Sequence, residues 1–196
     1  MKREEIYSVF SNIPTLQTNR LVLRRLMVAD ASDMFEYSKN REVTKYLTWD
    51  AHPDAMYTRE YLQYLGTHYN MGDFFDWGII LTEEDKMIGT CGFTRFDYSN
   101  NSGEIGYVLN PAYWGRGIAA EAVEEVMRFG FEQLKLNRIE AKFIEGNDAS
   151  MRVMEKTGMK FEGYLREAML IKGAYRTIGI SSILRSEYKK RTELLC

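Results

Sequence analysis

The hydrophobic pattern changes period several times along the chain, and each change marks an element. Over residues 20–26, Leu21, Leu23 and Leu26 are interleaved with Arg20, Arg24 and Arg25, which predicts a strand. Asp30 is placed to cap a helix running to about Ser38, with Met34, Phe35 and Tyr37 as its apolar bulk. Residues 41–46 add a short second helix. Pro53-Asp54 then opens a third, to about His68, with Met56, Tyr57, Tyr61, Leu62 and Leu65 near helical spacing.

Beyond Gly72 the period becomes that of strands. Residues 74–81 and 87–96 are rich in β-formers and are joined by the polar turn Thr82-Glu83-Glu84-Asp85, which predicts a hairpin. Asn100-Asn101-Ser102-Gly103 is a second turn, leading into a third antiparallel strand over 104–109 that stops at Asn110-Pro111. The clearest helix follows. Ala119, Val123, Val126, Met127, Gly130, Phe131 and Leu134 mark one face, and Glu121, Glu124, Glu125, Arg128 and Glu132 the other. A strand at 138–144 completes a strand–helix–strand unit of the length that makes its two strands parallel. A capped helix from about Asp148 to Thr157 ends at Gly158, and strands at 161–171 and 175–184 flank Lys172-Gly173-Ala174. The expected fold is therefore an α/β mixed sheet, mostly antiparallel and twisted, with a central parallel β-α-β crossover and helices on both faces. No repeat or Gly/Ser/Pro-rich linker divides the 196 residues, so one domain over 1–196 is expected.

Composition narrows the function classes. Apolar residues make up 45% and charged residues 28%, an ordinary globular balance. Lys+Arg 26 against Asp+Glu 28 leaves a formal charge of −2, with none of the bulk positive field that draws proteins to nucleic acid or anionic membrane. Cys91, in a predicted strand, and Cys196, at the terminus, make no disulfide framework, and two histidines without a Cys/His cluster make no metal site. No apolar run reaches the length of a membrane span. A cytoplasmic protein with neither a nucleic-acid nor a membrane partner is expected.

Candidate chemistry concentrates in Trp114-Gly115-Arg116-Gly117-Ile118-Ala119-Ala120, between a strand and the strong helix. Glycines there let successive backbone N–H groups point into one concavity, and the helix end adds partial positive charge, a combination suited to pyrophosphate. A tight turn without a ligand is the plainer reading of two glycines. Other phosphate motifs do not fit. A Walker loop ends in Gly-Lys-Ser/Thr, whereas Ile118-Ala119 follows Gly117; a dinucleotide fingerprint belongs at the first turn of a parallel sheet, whereas three antiparallel strands precede this loop.

Two segments together, 113–123 (Tyr113-Trp114-Gly115-Arg116-Gly117-Ile118-Ala119-Ala120-Glu121-Ala122-Val123) and 147–159 (Asn147-Asp148-Ala149-Ser150 through Gly158-Met159), resemble the GNAT acetyltransferases. They are most similar to the Rim-type branch (RimJ/RimL-like), whose named members acetylate N-termini of ribosomal proteins. Thr18-Asn19-Arg20-Leu21-Val22-Leu23-Arg24 resembles that branch's first strand and Phe161-Glu162-Gly163-Tyr164-Leu165-Arg166-Glu167 its strand after the last helix, so the likeness runs over about 15–188.

The resemblance implies a GNAT-like fold and acetyl-CoA as acetyl donor, with no metal. Gly115, Arg116, Gly117, Ile118, Ala119 and Ala120 would hold its pyrophosphate, the backbone of Tyr107, Val108 and Leu109 its pantetheine arm, and Asn147 would bond the same arm from the last helix. Trp114 stands where many members have Gln or Arg, and Met154 where other branches have a tyrosine acid, with Ser150 as the Rim-type polar alternative. Met169 falls where one Rim-type group has a glutamate proposed as base.

An amine must lose its proton before it attacks a thioester, so a carboxylate is wanted near the cofactor strand. Glu104 begins that strand, and alternation puts it on the face of Gly106 and Val108; it is the candidate base, beside the plainer reading of a strand-edge residue. Ser150 is the candidate acid for the leaving thiolate, beside a local helix-end hydrogen bond. His52 and His68 read as packing or surface residues. The aromatic stretch of Trp49, Tyr57, Tyr61, Tyr64, Phe74, Phe75 and Trp77 reads as core, part of it walling an acceptor pocket. Lys189-Lys190-Arg191 reads as a solvated tail. The expected function is direct acetyl transfer to a primary amine, a protein N-terminus or a small molecule, with a homodimer allowed. A non-catalytic acyl-CoA sensor on the same fold, and an interaction module using the aromatic region, are the competing readings.

Overall fold

The computed structural model describes residues 2–193; Cys196 lies outside the described residues. One eight-stranded sheet in the order β1-β2-β3-β4-β5-β6-β8-β7 organises the molecule. Its strands are β1 (Leu16–Gln17), β2 (Leu21–Arg24), β3 (Phe75–Leu81), β4 (Lys86–Asp97), β5 (Ser102–Leu109), β6 (Arg138–Ile144), β7 (Lys160–Ile171) and β8 (Ala174–Leu184). Every pairing is antiparallel except β5 with β6. The helices are α1 (Arg3–Ser11), α2 (Ala31–Ser38), α3 (Arg41–Thr44), α4 (Ala55–Met71), α5 (Ile118–Glu132), α6 (Asp148–Lys156) and α7 (Arg185–Glu193).

The sheet carries a core on each face. On one, Ile6 and Phe10 of α1, Val123 and Val126 of α5 and Met154 of α6 cover Trp77, Phe93, Ile105 and Ile139. On the other, Met34 and Tyr37 of α2 and Leu62, Leu65 and Tyr69 of α4 cover Ile80 and Met87. Strand alternation thus sends successive residues of β3 and β4 into different cores.

Three parts depart from the pattern-based reading. Helix α1 was not expected, yet Phe10 is fully buried and packs its edge on Phe75 and Trp77. Asp30 precedes α2 without capping it; its carboxylate accepts from the Arg24 guanidinium at 2.7 and 2.9 Å and from the Met27 N–H. The basic run near the end leaves Lys189 and Lys190 exposed, as expected, but it is helical and docked at Arg191. It lies in α7, where Arg191 donates to the Thr157 carbonyl and pairs with Glu124 at 2.6 Å.

Candidate acetyl-transfer site

Strand β5 ends beside an anion nest. Asn110 caps a short 3-10 turn over Pro111–Tyr113, and the Trp114 indole N–H donates 2.8 Å back to the Leu109 carbonyl, so the loop is pinned to the strand end. Gly115 and Gly117 then adopt φ of 75° and 76°, the left-handed region that costs an L side chain roughly 1–2 kcal/mol. Gly117 is the N-cap of α5 and offers no side chain to its first-turn N–H groups. Those donors are left for an external acceptor. The space over Gly115 is open, and the Lys156 ammonium lies 3.2 Å from where a Cβ on Gly117 would sit. Lys156 makes no ion pair among the described residues, so a free cation hangs over the nest. The Arg116 side chain is exposed, 5.4 Å over the Tyr113 ring.

Glu121, on the first turn of α5, clamps this loop to the sheet edge. Its carboxylate accepts from Thr18 Oγ1 at 2.6 Å, from the Arg20 N–H and from the Arg20 guanidinium, which also donates to the Arg116 carbonyl. Burial works against its charge, but the bonds from Thr18 and Arg20 prevail and hold the carboxyl below its usual range.

Next to the nest the sheet opens. β5 and β6 pair from Ser102↔Arg138 to Ile105↔Ala141 and no further, although β5 runs on to Leu109 and β6 to Ile144, where its other edge stays bound to β8. The edge of β5 from Gly106 onward is left without a strand partner, a template for an extended ligand. Tyr107, Val108 and Leu109, the residues to which the resemblance assigns the pantetheine arm, lie along this edge, and the Leu109 carbonyl is already taken by Trp114. Asn147 caps α6 through Oδ1, accepting from the Ser150 N–H at 3.3 Å, and this leaves its side-chain N–H groups to donate elsewhere.

On the α6 side of the opening, the Tyr107 hydroxyl lies 2.8 Å from Ser150 Oγ and 2.9 Å from the Ser150 carbonyl. Burial pushes the Tyr107 phenol well above its ordinary value, so it stays protonated. Met154 is 1% exposed and belongs to the core; it is no part of this pair. On the opposite face, Glu104 is half-buried and its Oε2 meets Lys142 Nζ at 2.5 Å and Arg95 at 3.5 Å, with Glu140 close to both cations. The sequence signalled Glu104 and Ser150 but not their partners Lys142 and Tyr107. It gave no sign of Lys156 either, since these meetings across strands and helices follow from topology, not spacing.

The remaining candidates resolve into structure. The His52 ring is buried, 2.8 Å from Thr58 Oγ1, and burial lowers its pKa; His68 bonds Asp73 at 2.9 Å. Trp77 is core, its indole N–H donating 2.7 Å to the Pro14 carbonyl, whereas Tyr57, Tyr61 and Tyr64 stand on the open side of α4. No group of histidine, cysteine and acidic side chains arranged to hold a metal, and no helix long and apolar enough to cross a membrane, occurs among the described residues.

Comparison with known proteins agrees with this geometry. Residues 20–160 match the acetyltransferase (GNAT) domain family. The chain is 37% identical over 174 residues to an uncharacterized N-acetyltransferase, p20, of Bacillus licheniformis, covering 89% of this chain and 98% of that one. It is 26% identical to the ribosomal protein uS5-alanine N-acetyltransferase of Escherichia coli, over 85% of this chain and 89% of that one. A crystal structure of a GNAT acetyltransferase from Bacillus anthracis superposes with a TM-score of 0.79 at 30% identity, covering 89% of this chain and 100% of that one. A nest at a helix N-terminus, a sheet that parts beside it and a family match across both make the chain an N-acetyltransferase of the GNAT family.

Proposed function

We propose that the chain moves an acetyl group from acetyl-CoA directly to a primary amine while both are bound. The observation that carries this reading is the parting of β5 from β6 immediately beside the uncapped N-terminus of α5. The amides of residues 115–120, with Arg116 and Lys156, would hold the pyrophosphate; the free edge at Tyr107 and Val108, with Asn147, would hold the pantetheine arm. The thioester would then lie where the strands part, between the Tyr107–Ser150 hydroxyls and Glu104. No cysteine lies in that segment to carry the acetyl group, since Cys91 is buried in β4 with its thiol pushed up by burial.

Each side chain has a defined task. Glu104 takes the acceptor's proton through a water, because Lys142 and Arg95 already engage Oε2. Backbone N–H groups at the opening polarise the carbonyl. The nitrogen–carbon bond forms, the carbon–sulfur bond breaks, and the Ser150 hydroxyl, backed by Tyr107, gives a proton to the departing sulfur as it takes one from solvent, to which Glu104 returns the acceptor's proton. The acceptor is a protein N-terminus or a small-molecule amine, and the Rim-type likeness supports the former. Apolar residues exposed along edge strand β7, among them Leu165 at 50% and Leu170 at 64%, support a homodimer, which sedimentation would measure. A cytoplasmic setting fits the free thiol of Cys91.

The test is a panel of amines and peptides offered with acetyl-CoA and read by mass spectrometry and free CoA release. Wild type acetylates at least one acceptor, and Glu104→Gln turns over at least tenfold more slowly at neutral pH. That deficit narrows at higher pH, where the amine loses its proton unaided. Binding of acetyl-CoA without CoA release for any acceptor would make the chain a sensor instead.

A further inference from the structure

On the α4 side of the sheet, Asp76 of β3 stands directly opposite Gly92 of β4, which stands opposite Gly106 of β5. Residues opposite one another on an antiparallel ladder project to the same face, so these three form a row across the sheet. A methyl group on Gly92 would lie 2.7 Å from Asp76 Oδ1, which means that the carboxyl lies over Gly92 in the space a side chain would fill. The next residue in the row, Gly106, is where β5 loses β6. Neither glycine puts a side chain of its own between the Asp76 carboxyl and the opening; the Thr94 methyl of β4, 2.7 Å from where a Cβ on Gly106 would sit, leans over the far end of the row. Tyr61 of α4 is close enough to Asp76 to feel its charge, and Tyr57 and Tyr64, one turn to either side of it, are 49% and 59% exposed.

The Asp76 carboxyl is held but not neutralised. The Trp77 N–H donates to Oδ1 at 3.1 Å and Thr90 donates to the same carboxyl. No lysine, arginine or histidine among the described residues pairs with it. This is the reverse of Glu104, which faces Lys142 and Arg95. A carboxylate partly withdrawn from bulk water with no cation beside it is costly unless a ligand supplies one, and the ring of Tyr61 nearby suits an ammonium group. The carboxyl lies over β4 and the opening lies between β5 and β6, a lateral distance of about one and a half strand spacings, or roughly 7 Å. A four-carbon chain between two amines spans about 6 Å at ordinary bond lengths.

We propose that Asp76 binds a second ammonium group of the acceptor, so that the chain selects amines carrying two positive centres about four carbons apart. The proposal rests on the acetyl-transfer reading for the role of the opening, and adds to it the acceptor's far end. It also predicts a pH dependence of its own. Burial raises the Asp76 carboxyl to about 7, and the groups facing it do not share that titration. Tyr37 of α2, Tyr61 and Tyr69 of α4 and Cys91 of β4 are all pushed upward by burial; His52, edge-on to Tyr61, is pushed downward; the Arg25 guanidinium lies over the Tyr69 ring. Affinity for a diamine therefore rises between pH 6 and 8, as Asp76 ionises and both amines remain charged.

The probes are 1,4-diaminobutane and n-butylamine, compared as acceptors with acetyl-CoA in wild type and in Asp76→Asn. Asparagine keeps an acceptor for the Trp77 N–H and removes only the charge. Wild type prefers the diamine by at least tenfold in kcat/KM, more so at pH 8 than at pH 6; Asp76→Asn brings the two amines within about threefold and removes that pH trend. An equal thermal shift with acetyl-CoA shows that the variant is folded. Calorimetry of 1,4-diaminobutane on the CoA-bound protein gives a second readout, expected to show binding at least tenfold weaker in Asp76→Asn. If the diamine binds through Asp76 yet no amine is acetylated, the acetyl-transfer reading fails and this proposal stands. If wild type shows no preference and no binding, or Asp76→Asn retains both, the proposal is overturned.

Discussion

A hydroxyl pair and a carboxylate flank the opening between β5 and β6, and they differ in how easily a sequence discloses them. Ser150 is legible because it follows Asn147 at the start of a helix; its partner Tyr107 lies 43 residues away on a strand, where only its backbone drew notice. In the pair, whichever hydroxyl donates inward leaves the other free to donate to a leaving sulfur. Ser150→Ala should lower kcat between severalfold and a hundredfold while leaving acetyl-CoA binding nearly intact, since one neutral hydrogen bond contributes about 0.5–1.5 kcal/mol net. Tyr107→Phe should do less, because Ser150 keeps its own proton. Steady-state kinetics check both, and a kcat within twofold of wild type for Ser150→Ala would mean that the thiolate takes its proton from water. A tyrosine at position 154 cannot make good the loss. Met154 is sealed in the core and has no room for a ring.

Elements with strong periodicity or punctuation were legible to within a residue or two. β6 lies at 138–144 as read, α5 begins one residue before its first apolar marker, and α6 ends two residues before Gly158, which marks its end. Helix α1 escaped because its fully buried face is only Ile6 and Phe10, with Tyr7 and Val9 partly buried, in a nine-residue helix whose other five residues are polar. Such a helix is stabilised by what it packs against, not by its own pattern. Removing that packing should be costly: Phe10→Ala is expected to lose about 3–5 kcal/mol in urea titrations. Glu125 shows the opposite error, for it reads as surface but is buried against Arg128. The turn before α5 is legible in its two glycines, both of which adopt positive φ, and its ligand is testable at this scale. Acetyl-CoA should raise the melting temperature of wild type by binding the folded state. Gly117→Glu should abolish that shift by placing a carboxylate in the nest, while its left-handed φ lowers the unliganded melting temperature as well. Lys156→Ala should reduce the shift without that strain. Equal shifts in all three proteins would remove the loop from the cofactor site.

Across the whole molecule, the order of strands decides what meets what. Two faces of one sheet are built from segments far apart in the chain: α1 and α5 close one core, α2 and α4 the other, and the one parallel pair leaves the opening between them. Asp76 acquires its setting only from this arrangement, which is why nothing in the run Phe75-Asp76-Trp77 distinguishes it beforehand. That setting has a consequence for global stability. An unfolded chain ionises such a carboxyl near 3.9, whereas in the folded protein burial raises it to about 7. Between those values the folded state holds a proton that the unfolded state has released, so Asp76 makes stability fall as pH rises from about 4 through 7. The full shift overstates the effect, because the residue is only half-buried and solvent screens it; about 1–3 kcal/mol is expected. Other groups titrate over part of the same range. Glu162, held at about 2 by Arg138 and Ser182, stabilises the fold above the unfolded carboxylate range and ceases to only in strong acid. Comparing wild type with Asp76→Asn cancels these contributions. Melting temperatures measured at pH 5 and pH 8.5 should therefore show Asp76→Asn gaining on wild type by a few degrees as the pH rises. A difference that stays flat would mean that the carboxyl ionises near its ordinary value, and with it would go the case for a charge kept unpaired for an incoming cation.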